Sequence, residues 1–195
     1  MSGVIVVHAG NRADSADRAE PRFPASSLDR VTASTARLLK ALRPSLVVSA
    51  PASGADLLVL EQARRLKIAV HVVLPLSTED FLEASVADGG PDWVARYRRL
   101  LSVADRNPRD VVERRDLTGV QDWWYTANEW IVEVGAAAAR RARPSESVVA
   151  LTIRPINSTN PPSVTDDLAV RAAARGWTVL TIDPRPHAAD TVGVS

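Results

Sequence analysis

Five short runs of apolar, β-branched residues frame this chain, at residues 3–8, 45–49, 69–74, 147–153 and 178–182. Each is continuous rather than alternating, the pattern of strands buried on both faces. Helical periodicity fills the gaps. Residues 27–42 carry Leu28, Val31, Thr35, Leu38 and Leu42 on one stripe, and residues 55–66 have a mixed face. Residues 78–85 and 92–104 are shorter helical segments. The longest covers 121–141, with Trp124, Ala127, Ile131, Val134 and Ala138 at core-facing spacing. The last covers 164–175 and stops at Gly176, in a C′ position. This alternation predicts an α/β fold: a doubly wound, mostly parallel, five-stranded Rossmann-like sheet with right-handed crossovers. One domain is expected over residues 1–184, with a helical insertion at about 77–143 between strands three and four and a flexible tail over 185–195. The insertion has no convincing strand, and its 105–119 loop is charged.

Composition narrows the function classes. The chain has 195 residues, 46% hydrophobic and 24% charged, as soluble globular domains do. A net charge of +1 argues against a dedicated nucleic-acid binder, and the Arg140, Arg141 and Arg143 cluster suits a helix C-terminus better than a phosphate track. The absence of cysteine excludes disulfides, thiolate metal sites and a cysteine nucleophile. Lys40 and Lys67 are the only lysines, a compositional hint of a GC-rich bacterial genome. No run is apolar for about 20 residues, and no basic segment precedes Val4, so neither a membrane span nor a signal peptide is expected and cytoplasm is the default.

Four stretches bear chemistry. The first is the junction at residues 46–58, where an apolar run ends in Ser49 and Ala50 and a Ser53-Gly54-Ala55-Asp56 turn opens a helix. First-turn N–H groups lack intrahelical partners, and the dipole favours an anion there. Ser53 and Asp56 equally fit a capping box, and both readings stand together. Asp56 would repel a phosphate on that turn and suits a ribose hydroxyl or an amide. The second is the long loop after the first strand, Gly10-Asn11-Arg12-Ala13-Asp14 and then Arg18 to Pro24. Arg22 can make a bidentate phosphate contact, and Phe23 can stack or anchor the loop. In the third, His71 reads as a satisfied sheet histidine, Pro75 ends the strand, Ser77 or Thr78 caps a helix, and Phe81 reads as core. In the fourth, Tyr125 and Asn128 share a helix face, and Asn128 needs a partner, either a ligand or a backbone group. The five tryptophans read mostly as core.

Taken in order, these stretches resemble the SLOG superfamily, Rossmann-like domains related to DprA and to the Lonely Guy enzymes. The likeness is to the branch found beside bacterial tetratricopeptide-repeat and nucleotide cyclase domains. It spans residue 10 to about residue 183, and the 71–86 block is its most specific part. The resemblance implies binding of nucleotides or derivatives such as NAD-, ADP-ribose- or cyclic-nucleotide-like molecules. By position, it places Gly10 and Asn11 in the pocket after strand one, and Asp14, Arg18 and Arg22 on the loop above it. Ser49, Ser53, Gly54 and Asp56 would form a second wall, and Pro75 a third boundary. The chain departs from the branch pattern at Asn11, where related members have His. It also departs at residues 158–166, which lack the Gly-Gly-Thr phosphate loop, although Thr165 and Asp166 keep part of it. The Lonely Guy motif Pro-Gly-Gly-x-Gly-Thr is absent.

The expected function is therefore a non-catalytic sensor of a nucleotide-derived signal. Its ligand-binding residues would be Gly10, Asn11, Asp14, Arg18, Arg22, Ser49, Ala50, Ser53, Gly54, Asp56, Pro75, Tyr125, Asn128 and Thr165. Its output would pass through oligomerisation or an effector protein, with neither nucleic acid nor membrane as a partner. The alternative is a nucleotide N-glycosidase or phosphoribohydrolase-like enzyme using Asp14, Asp56 or Asp166. A third reading is a scaffold that has lost its ligand. A bulky residue at Gly54 is expected to abolish binding without unfolding the domain.

Overall fold

The computed structural model describes residues 3–14, 18, 20–142, 144–156, 163–185 and 192–194. Among these, the strands are β1 (Val4–Gly10), β2 (Leu46–Ser49), β3 (Ala69–Leu74), β4 (Val111–Arg114), β5 (Ser147–Ile153), β6 (Thr178–Ile182) and β7 (Val192–Val194). The helices are α1 (Leu28–Leu42), α2 (Ala55–Arg65), α3 (Thr78–Ser85), α4 (Pro91–Ala104), α5 (Trp123–Arg141) and α6 (Val164–Ala173). They make an α/β fold around one sheet of order β4-β3-β2-β1-β5-β6-β7. Strands β1 to β6 are parallel, and β7 adds an antiparallel edge.

The five expected strands all form, but the strand count does not stop at five. Strand β4 lies within the segment expected to be purely helical. It pairs with β3 at the sheet edge, where one neighbour and partial burial suffice, so two valines followed by Glu113 and Arg114 can serve as a strand. A search for continuous apolar runs misses such a strand. The end of the expected tail likewise pairs with β6, as β7. Residues 157–162, which hold most of the sequence expected to stand in for a phosphate loop, lie outside the described residues, as do Arg143 and residues 186–191.

Successive strand residues point to opposite faces. Val6, Val47, Val72, Leu74, Leu151 and Ile153 pack with residues of α1, α2 and α4. Ile5, Val7, Val48, Val73, Val148 and Ala150 pack with α5 and α6. The chain steps from β1 out to β4 in one direction, and right-handed crossovers keep the connecting helices on one face. It then crosses back to β5 and continues to β6 in the other direction, which puts α5 and α6 on the opposite face. Helix α2 explains its mixed pattern by its position: it is buried from Ala55 to Leu60 between the sheet, α1 and α4, so its apolar residues need no single stripe. Among the described residues, no helix is long and apolar enough to cross a membrane.

Helix α5 lies close against β1. A Cβ placed on Gly135 would stand 2.4 Å from Val7 Cγ1. Gly135→Val is therefore expected to overpack this contact and lower stability by about 1–3 kcal/mol, measured as a shifted denaturant midpoint with an unchanged m-value. An unchanged midpoint would mean that α5 does not sit at this distance.

Candidate functional site

Strands β1 and β5 are neighbours whose onward connections run to opposite faces, through α1 and α6 respectively. The loops diverge at their C-terminal ends and leave a crevice, the general place for ligands in open α/β sheets. A cavity of about 430 Å³ opens there, within the range of about 300–1,000 Å³ that small-molecule sites occupy. Gly10, Arg12 and Arg22 line it from β1 and its loop, and Ala50, Ala52 and Asp56 from the β2–α2 junction. Phe81, Ala84 and Ser85 come from α3, Trp123, Trp124 and Asn128 from α5, and Ser163, Val164 and Thr165 from the start of α6.

The loop after β1 is held by backbone proximity. Asn11 N–H donates to Ile153 O at 2.9 Å, and Asn11 O accepts from Ala55 N–H at 3.1 Å. Gly54 has φ +90, a region that favours glycine. A Cβ at Gly54 would lie 2.4 Å from Ala13 N and 2.7 Å from Arg12 C. The small residue therefore serves the loop rather than the cavity wall, and a bulky replacement displaces backbone instead of only blocking a ligand. Farther along, Asp14 accepts the N–H groups of Arg22 and Phe23 at 2.7 and 2.8 Å, closing the loop on itself. Phe23 is buried in the core and pins it.

The anticipated capping box is not formed at α2. Gly54 is the N-cap, with no side-chain cap bond. Ser53 Oγ is buried without a hydrogen-bond partner, while Ser53 N–H donates to Ser85 O at 2.9 Å. Asp56 reaches away from its own helix: its Oδ1 accepts from Gly10 N–H at 2.8 Å and lies 3.2 Å from His8 Nε2. His8 is wholly buried, and its Nδ1 bonds Leu151 O at 2.8 Å. Burial is the largest influence on Asp56 and raises its carboxyl above the ordinary range, while His8 and the Gly10 N–H pull it down.

A true capping box closes α6. Ser163 Oγ accepts from Asp166 N–H, and Asp166 Oδ2 accepts from Ser163 N–H at 2.6 Å. Arg154 pairs with Asp166 at 3.0 Å and offsets its charge. The N–H groups of Val164 and Thr165, in the first turn beside the cavity, have no intrahelical acceptor. The two arginines at the cavity differ. Arg12 bonds Ala84 O at 2.8 Å and pairs with Asp88, bridging the loop to the end of α3. The Arg22 guanidinium has no carboxylate partner among the described residues, and its Nε is buried without an acceptor. Burial first, then the nearby Arg18, lowers its pKa.

The third wall is aromatic. Phe81 and Trp123 meet edge-on at 5.9 Å between centroids, and Trp123 meets Trp124 at 5.5 Å. Trp130 is buried and Trp93, Trp123 and Trp177 pack against the core, as read, but the core reading did not show that Trp123 and Trp124 also line the cavity. A Trp-Trp pair opening a helix was the available signal, because adjacent helical residues lie about 100° apart and cannot both face one core.

Of the expected site residues, Gly10, Arg22, Ala50, Asp56, Asn128 and Thr165 line the cavity. Asn11 and Ser49 stand behind it: Asn11 Oδ1 accepts from Thr165 Oγ1 at 3.3 Å, and Ser49 Oγ donates to His8 O at 3.1 Å. Asp14 and Arg18 brace the loop, 3.3 Å apart. Ser53, Gly54, Pro75 and Tyr125 are not among the lining residues. Asn128 has found protein partners, Val164 O at 2.7 Å and Asp167 Oδ2 at 3.0 Å. His71 is satisfied by Glu113 at 2.9 Å, as a sheet histidine should be. No protein-family model matches the chain, and no curated protein matches it.

Two outcomes follow. Asp14→Ala strips acceptors from two loop N–H groups and is expected to cost about 1–3 kcal/mol; faster proteolysis within the 14–23 loop, with the core still folded, is the check. For Asp56 the native carboxyl holds its proton at pH values where the unfolded chain has already lost it. Its contribution is present near the unfolded pKa of 3.8 and is lost as pH rises toward the raised native value. Stability of Asp56→Asn is expected to depend less steeply on pH over that window, measured by denaturant unfolding. Parallel pH curves for the two proteins would refute it.

Proposed function

We propose that this is a Rossmann-like domain that binds a nucleotide-derived small molecule, of the NAD, ADP-ribose or cyclic-nucleotide kind, and acts as a sensor rather than a catalyst. The observation that carries the reading is the combination of walls around one crevice. The Phe81, Trp123 and Trp124 rings offer a stacking surface for a base. Arg22, with no carboxylate partner among the described residues, together with Arg12 and the first turn of α6, offers charge and N–H groups to a phosphate. Asp56 stands at the same cavity as an acceptor for sugar hydroxyls. Lost glycines after β5 do not remove this capacity, because the α6 N–H groups and the arginines supply donors without a glycine-rich loop. Passing the signal on through oligomerisation or an effector protein, in the cytoplasm, belongs to the same proposal.

A nucleotide-cleaving enzyme is the second reading, favoured by one observation: the buried His8–Asp56 pair places an acid–base group on the cavity wall. Calorimetry and thermal shift with NAD, ADP-ribose, AMP and cyclic nucleotides, followed by product analysis, separate the readings. Binding with quenched tryptophan fluorescence and no product is the expected result. Product formation favours the enzyme, and no binding of any probe refutes both.

Arg22→Ala is expected to weaken a phosphate-bearing probe by roughly tenfold or more, the scale of a lost charge-assisted hydrogen bond. The fold should be kept, since the guanidinium holds no ion pair with the described residues. Unchanged affinity would remove Arg22 from the site.

A further inference from the structure

The His8–Asp56 pair has a proton count that its geometry restricts. Leu151 O can only accept, so His8 Nδ1, 2.8 Å away, carries a hydrogen. His8 Nε2 then faces Asp56 Oδ1 at 3.2 Å, within ion-pair distance, and has no hydrogen-bond partner among the described residues. A neutral imidazole with its hydrogen on Nδ1 has a lone pair on Nε2. An ionised carboxylate opposite it would set lone pair against lone pair, at a site where His8 is wholly buried. One proton between the two atoms removes that conflict, whether it sits on the ring or on the carboxyl. Gly10 N–H also points at Oδ1, at 2.8 Å. Among the described residues, both contacts of the carboxyl fall on Oδ1, and Oδ2 has none.

We propose that His8 and Asp56 hold one proton between them, which leaves Asp56 Oδ2 a pure acceptor at the cavity and makes Asp56 the residue that selects a ribose-bearing ligand over its deoxy analogues. The ligand half of this rests on the nucleotide reading above. The order of the sheet supports a sugar at this point. The aromatic wall comes from the β3 side, through α3 and the start of α5. The α6 N-terminus comes from the β5 side. Asp56, tied to β1, stands between them, where a ribose joins a base to a phosphate. A buried acceptor left unmatched by a deoxy ligand loses its hydrogen bond and stays desolvated, worth roughly fivefold or more in affinity. The groups facing the pair are few. His8 comes from β1, and Arg12 and Arg22 line the same cavity from the loop. The α5 and α6 residues at the wall, Asn128, Ser163 and Thr165, are neutral. Burial favours retention of the proton on Asp56 over its release.

The test has two arms on the unaltered protein. In the ligand-free state at pH 7, nitrogen-15 NMR of the His8 ring and carbon-13 NMR of the Asp56 carboxyl report the protons. A protonated Nδ1 with one further proton, on Nε2 or on the carboxyl, is expected. A bare Nε2 opposite an ionised carboxylate, or protons on both, would overturn the shared proton. In the second arm, calorimetry compares AMP with 2′-deoxy-AMP and 3′-deoxy-AMP. At least one analogue should bind fivefold or more weakly than AMP. If both bind within fivefold of AMP, the role of Asp56 fails while the nucleotide reading stands. If neither AMP nor ADP-ribose, NAD or a cyclic nucleotide binds, the nucleotide reading and the selection by Asp56 fail together, and the NMR arm still decides the proton.

Discussion

The pairing of β1 with β5 is the contact on which the rest of the molecule depends. It runs along the whole of both strands, from Val4 opposite Ser147 to Gly10 opposite Ile153. It joins two strands that are distant in the chain, and it is where the sheet reverses its order. Because the crossovers leave β1 and β5 toward opposite faces, their C-terminal ends diverge and leave a crevice between them. Asn11 N–H bonds Ile153 O just past the last paired residues and holds the two diverging ends together. The cavity is a consequence of connectivity before it is a consequence of any side chain.

Close backbone approach then shapes the cavity. The start of α2 sits so near the end of β1 that a Cβ on Gly10 would meet Ala55 Cβ at 2.3 Å. Gly54 meets the Arg12–Ala13 peptide in the same way. These contacts bring Asp56 within reach of Gly10 and His8. They also commit the turn to packing, so the residue that looked most like a ligand-facing glycine is spent on the loop. The polar group left for chemistry is the carboxylate two residues on.

Most of the fold was legible in the sequence, because buried parallel strands need continuous apolar runs and the runs at 3–8, 45–49, 69–74, 147–153 and 178–182 supply them. Helix bounds fell within a few residues for the same reason, and α3 fell on Thr78–Ser85 as read. Strand β4 was illegible because an edge position asks so little of a sequence. The site was legible in part. Gly10, Arg22, Ala50, Asp56, Asn128 and Thr165 meet at one cavity. Trp123 and Trp124 were hidden among tryptophans that composition treats alike, and nothing local marks His8 as the partner of a residue on another element.

The sequence by itself determined the α/β class, the succession of strands and helices, and the long loop after the first strand, since each follows from local periodicity and turn chemistry. The tertiary structure alone decided what Asp56 does. Within its own segment Asp56 has the spacing of a helix cap, and that bond is not made. The parallel pairing of β1 brings Gly10 N–H and His8 Nε2 to its carboxyl from 46 and 48 residues away. Desolvation by the surrounding helices does the rest, turning an ordinary first-turn acid into a buried group bound to a histidine.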